Sequence, residues 1–181
     1  MKYMERKAVD RVFRDENGAY AMDCRGAVWA TNHMHADYQA ARLGIKDTDF
    51  LIENRDCILM VEYQNASIKN AAKPDAFDPT TDKMVGALCH KFFDSLHYLY
   101  LLGKAKPIRL VYVLEYPGGD RVTRKRLRNK LQTGLPFQLQ KNLDTGRRLI
   151  DSVDVVSIQE WNDNEVFGKY PISEVQNEVE Q

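Results

Sequence analysis

Cysteine is scarce. Cys24, Cys57 and Cys89 are the only three, widely spaced and without a CxxC pair, which speaks against a disulfide framework or a cysteine zinc site and for a reducing compartment. Long apolar runs are missing as well. None approaches the roughly 18 residues that a membrane span requires, and the charged stretch Met1 to Asp10 has none of the apolar core of a signal peptide. The expected setting is cytoplasmic, with no membrane partner. No GxGxxG, P-loop or GxSxG pattern occurs, which counts against nucleotide-cofactor and serine-hydrolase chemistry. Net charge is also lacking: 26 basic residues balance 26 acidic ones. That excludes a uniformly basic surface but leaves room for a locally basic face.

What is present suits one domain spanning 1–181. At 181 residues, 44% hydrophobic and 29% charged, the chain can bury a core without staples. Its charge is unevenly spread. Residues 121–148 carry nine basic side chains against Asp144 alone, whereas from Asp151 onward eight acids face only Lys169, ending in an acidic C-terminal tail at 172–181.

Met4, Ala8 and Val12 recur every four residues, which predicts an amphipathic helix over 3–13. A short helix is expected over Tyr38–Leu43, closed by Gly44. Asp47–Ile52 and Cys57–Asn65 read as two strands joined by the polar tetrad Glu53-Asn54-Arg55-Asp56, a hairpin. Thr81 or a neighbour caps a long helix reaching Leu102, with Met84, Leu88, Phe92, Leu96 and Leu99 as its apolar stripe. Ile108–Tyr116 is a dense strand, the basic segment begins as a helix, and Val153–Trp161 is a final strand. The order implies an α/β (α+β) fold, a mixed sheet flanked by helices.

The hairpin concentrates the chemistry. A turn centred on Asn54 and Arg55 would set Asp49 opposite Met60 and Asp47 opposite Glu62. Alternation places Asp47, Asp49, Glu62 and Gln64 on one face, with Asp49 and Glu62 as diagonal neighbours within joint reach of one cation. Converging carboxylates on a half-buried strand repel each other, and a divalent cation relieves that conflict. Hard oxygen ligands suit Mg²⁺ or Mn²⁺.

Asp49-Phe50-Leu51-Ile52, a polar turn, and Ile58-Leu59-Met60-Val61-Glu62-Tyr63-Gln64 together resemble the metal-binding hairpin of the PD-(D/E)XK nuclease superfamily. The following helix and strand extend the resemblance over roughly residues 1–116. It implies a restriction-endonuclease-like αβββαβ core and Mg²⁺-dependent hydrolysis of DNA phosphodiester bonds. Asp49 and Glu62 would be metal ligands, and Gln64 would stand where the family has lysine. Lys69, Lys83 or Lys91 would supply the missing cation, Glu5 a further acid from the first helix, and Asp47 an alternative ligand to Asp49. A second reading stays open: a catalytically inactive nuclease-fold protein acting as a nucleic-acid-binding or assembly module, a homo-oligomer among the options.

The run Arg121–Lys130 lacks acids at i+4. Its cations Arg124, Lys125 and Arg128 are therefore expected to contact the nucleic-acid backbone. His33 and His35 would share a face on a strand but read as surface or satisfied histidines, and His90 and His97, seven apart on one face of the long helix, read as packed beside its aromatics. Cys57 and Cys89 read as small core residues.

Overall fold

Runs of β-branched and aromatic residues that are apolar at every position build the centre of this protein, because strands covered on both faces have no polar side to present. The computed structural model describes residues 11–67 and 77–175. Strands β1 (Val12–Arg14), β2 (Tyr20–Asp23) and β3 (Trp29–Thr31) lead to helix α1 (Met34–Ala40). Strands β4 (Phe50–Glu53) and β5 (Ile58–Asn65) precede the long helix α2 (Asp82–Leu101). Then come β6 (Ile108–Glu115), helices α3 (Arg121–Gly134) and α4 (Phe137–Leu143), β7 (Ile150–Val156), α5 (Ile158–Asn162) and β8 (Ile172–Glu174).

A five-stranded mixed sheet in the order β3-β4-β5-β6-β7 forms the spine. Its first three strands are antiparallel neighbours, whereas β6 runs parallel to both β5 and β7. Parallel neighbours need a crossover; α2 makes one, and α3 with α4 makes the next. On one face Leu51, Met60 and Leu110 pack with Phe92 and Leu99 of α2 and Leu131 of α3. On the other, Ile52, Leu59 and Val111 pack with Trp161 and with Phe13 and Ile172 of a small antiparallel sheet, β1-β2-β8. The fold is thus α/β, a mixed sheet flanked by helices. No helix among the described residues is long and apolar enough to cross a membrane.

Four sequence expectations need correction. Of the helix expected over 3–13, residues 3–10 lie outside the described residues, and Val12–Arg14 is a strand. Phe13 decides this: it is buried and stacks on Phe50 with ring centroids 5.8 Å apart. The short helix runs over Met34–Ala40, so that Met34 and Tyr38 bury one face, and Arg42 at φ 58° makes the left-handed reversal expected of Gly44. The strand expected over Val153–Trp161 runs instead over Ile150–Val156, and β8 follows it as the final strand. Beyond Val156, Ser157 and Glu160 form a capping box that starts α5 and places Trp161 in a helix. The hairpin register is the fourth correction. Asn54 Oδ1 accepts from the amides of Asp56 and Cys57, so the turn occupies 54–57 and Glu53 pairs with Ile58. A shift of two residues leaves every side chain on its expected face. It also sets Phe50 opposite Val61, which places Asp49 directly across from Glu62 at the strand ends.

Candidate active site

The apolar run Ile58–Val61 ends in Glu62, on the sheet face that α2 covers. Only 9% of Glu62 is exposed. A carboxylate there loses its hydration unless other groups replace it. Lys91 of α2 supplies part of the replacement, its Nζ donating to Glu62 Oε1 at 2.6 Å. The second oxygen, Oε2, is buried with no hydrogen-bond partner. Burial first, and then the neighbouring Asp49 charge, push the Glu62 carboxyl up to about 8 despite Lys91. Lys91 loses hydration too, but the carboxylates of Glu62, Asp49 and Asp47 outweigh that loss and hold its ammonium above the ordinary lysine range.

Asp49 sits at the entrance to β4, where its Oδ2 accepts the Tyr63 amide at 2.7 Å and closes the end of the ladder. Burial raises its carboxyl to about 6; that amide and Lys91 pull the other way, and Glu16 and Asp47 add repulsion. The segment before it is strapped to α2: the Lys46 amide donates to Asp94 Oδ2 at 3.0 Å and the Thr48 amide to Ser95 Oγ at 3.1 Å. Asp47 is buried as a result, and its Oδ1 lies 3.0 Å from Nδ1 of His35 on α1. From β6, Tyr112 donates its hydroxyl proton to Gln64 Oε1, which leaves the amide nitrogen of Gln64 as the group free to donate. Burial and the charges of Glu62 and Asp49 raise the Tyr112 phenol well above its usual range, so it stays a donor.

Of these groups, His35, Lys46, Asp47, Asp49 and Lys91 line an open cleft of about 390 Å³ together with Arg14, whereas Glu62, Gln64 and Tyr112 are not part of its lining. The structure therefore brings Asp47, Asp49, Glu62, Gln64 and Lys91 into one neighbourhood. Glu5 and Lys69 lie outside the described residues. Lys83 is exposed near the start of α2, more than two turns from Lys91. Among the described residues, no three His, Cys, Asp or Glu side chains converge as a ready-made ion cage. His33 and His35 do not share a strand face. His33 precedes α1, and His35 lies within it, turned to Asp47. His90 and His97, expected to pack beside the aromatics of the long helix, are instead exposed on α2, while Cys57 and Cys89 are buried as expected.

Reading the sequence missed His35 and Tyr112. For Tyr112 a signal existed: a hydroxyl-bearing residue inside the otherwise apolar run of β6, aligned with Glu62. For His35 there was none, since its partner comes from tertiary packing. The basic helix α3 is also changed by context. Arg124 Nε lies 3.0 Å from Glu160, Arg128 Nε donates to the Val153 carbonyl and sits 3.8 Å from Asp154, and Lys125 remains exposed. The acids absent at i+4 arrive from β7 and α5.

Comparison with known proteins gives no match among family models, curated proteins or solved structures.

Proposed function

We propose that the chain is a metal-dependent nuclease that hydrolyses DNA phosphodiester bonds, with Asp49 and Glu62 as the carboxylates that hold Mg²⁺ or Mn²⁺. The observation that carries this reading is the Glu62 carboxylate. One oxygen takes Lys91, the other is buried and unpartnered, and Asp49 stands across the hairpin on the same face. An unsatisfied buried acceptor costs about 1–3 kcal/mol, more when charged, and hard oxygen donors fit a small divalent cation. Such an ion, when bound, polarises a phosphodiester and lowers the pKa of water.

The remaining chemistry belongs to the chain. Lys91 supplies the positive charge that Gln64 lacks, delivered from the helix instead of the strand. Gln64, its carbonyl occupied by Tyr112, offers an N–H donor to a phosphate or water oxygen. Donors fixed before the reaction stabilise developing charge without reorganising.

One observation favours a second reading, the catalytically inactive nucleic-acid-binding or assembly module: among the described residues no third ligand completes the site. Titration with Mn²⁺, followed by calorimetry, separates the two. The nuclease reading expects binding that Glu62→Gln or Asp49→Asn weakens at least tenfold, the lower end of the loss seen when metal-site residues are changed. Absence of binding, or binding that both variants leave intact, would contradict it.

A further inference from the structure

Three of the six cations of α3 are engaged within the molecule: Arg124 with Glu160, Arg128 with Val153 and Asp154, and Lys130 with Asp82. Arg121, Lys125 and Arg126 are exposed, and no cation of α3 lines the cleft. Two exposed cations elsewhere do. Arg14 at the end of β1 and Lys46 just ahead of Asp47 are exposed, and among the described residues neither side chain has an ion pair or hydrogen bond. Both line the same cleft as Asp49 and Lys91. The cleft also carries the acids Asp15, Glu16, Asp47 and Asp49. A polyanion approaching those acids is repelled unless its phosphates meet compensating charge.

We infer that Arg14 and Lys46 are the phosphate-binding groups of this cleft and that they hold a single DNA strand, an inference that rests on the nuclease reading. Its volume of about 390 Å³ is near the lower end of ligand-pocket sizes, roughly 300–1,000 Å³. That admits a nucleotide-sized segment of one strand, whereas a duplex would have to lie across the rim. Tyr63, half-buried in the lining, adds an aromatic group of the kind on which bases stack. Arg14 comes from the small sheet and Lys46 from the segment strapped to α2. A strand held by both would therefore pass over Asp49 and Lys91, which line the same cleft, Lys91 being the residue that reaches Glu62. Contacts of this type fix register without reading sequence.

The test measures binding of a fluorescent oligothymidylate to the full chain in Ca²⁺, a hard cation used to hold the site without supporting turnover, across a range of salt concentrations. Each phosphate contact to a single strand contributes about 0.7 to the slope of log affinity against log salt. Arg14→Ala with Lys46→Ala should therefore lower the slope by about 1.4, while Arg121→Ala with Arg126→Ala on α3 leaves it unchanged. The single strand should also bind more tightly than the matching duplex. An unchanged slope in the Arg14/Lys46 variant, or tighter duplex binding, would overturn the inference while leaving the metal site standing. Failure of the wild type to bind either form would overturn it together with the nucleic-acid reading.

Discussion

Lys91 of α2 and Glu62 of β5 meet at 2.6 Å across 29 positions of sequence. They close the buried face of the sheet with charge at the point where its apolar side chains run out. Because β5 is central and α2 is anchored by Leu88, Phe92 and Leu99, the pair is fixed by the core and not by the cleft.

Removing one partner of such a pair exposes the cost of the other. Breaking a fully buried pair costs about 3–5 kcal/mol. The Lys91 side chain keeps 26% of its surface exposed and Glu62 can take up a proton, so Lys91→Met should cost less, about 1–3 kcal/mol after allowing for solvent screening. Lys91→Arg should cost less again. Urea unfolding at pH 8 measures both, and equal stability of Lys91→Met and wild type would show that the pair is not closing this face.

The acid pair should make stability fall as pH rises. Burial and the Asp49 charge raise Glu62 to about 8, and burial raises Asp49 to about 6. The folded state then holds protons that the unfolded chain has released, so the slope of stability against pH is negative. The contribution is fully present below the ordinary carboxylate range of roughly 4 and is lost progressively up to about pH 8. Glu62→Gln, which mimics the protonated acid, should flatten the curve between pH 5 and 8. Thermal unfolding across that range checks it, and a curve unchanged by Glu62→Gln would contradict the burial argument. Mn²⁺ should raise Tm more at pH 8 than at pH 5, since protons and metal compete for the same oxygens.

Tyr112→Phe should remove the hydroxyl that orients Gln64 while leaving the ring in place. One lost hydrogen bond predicts about 1 kcal/mol of destabilisation. The larger effect should be on cleavage, through a lower kcat with KM little changed, as expected for a group that acts through Gln64 on the reacting oxygens. A change confined to stability would make Tyr112 structural only.

The sequence told the faces of the hairpin because side chains alternate with a period of two, an arithmetic that survives a register shift of two residues. It did not tell the register, which depends on Asn54 folding its side chain back onto Asp56 and Cys57. The small sheet was illegible for a related reason: β2 and β8 pair across some 150 residues, Met22 with Ile172, and short strands carry little periodicity. The segment Arg121–Lys130 looked uncompensated because its acids, Asp154 and Glu160, come from other elements. Lys91 was one of three lysines that could reach the hairpin. Only packing of α2 through Phe92 against the sheet distinguishes it.

If Glu62 is a metal ligand in a phosphodiesterase site, cleavage of single-stranded DNA by the purified full chain in Mg²⁺ or Mn²⁺ must depend on it, which wild type against Glu62→Gln, with chelator as control, measures. Metal-dependent cleavage by the wild type and its loss in Glu62→Gln are expected, with Gln64→Lys preserving or raising the rate. Wild-type cleavage that Glu62→Gln leaves intact, or no cleavage above the chelator background, would contradict that role.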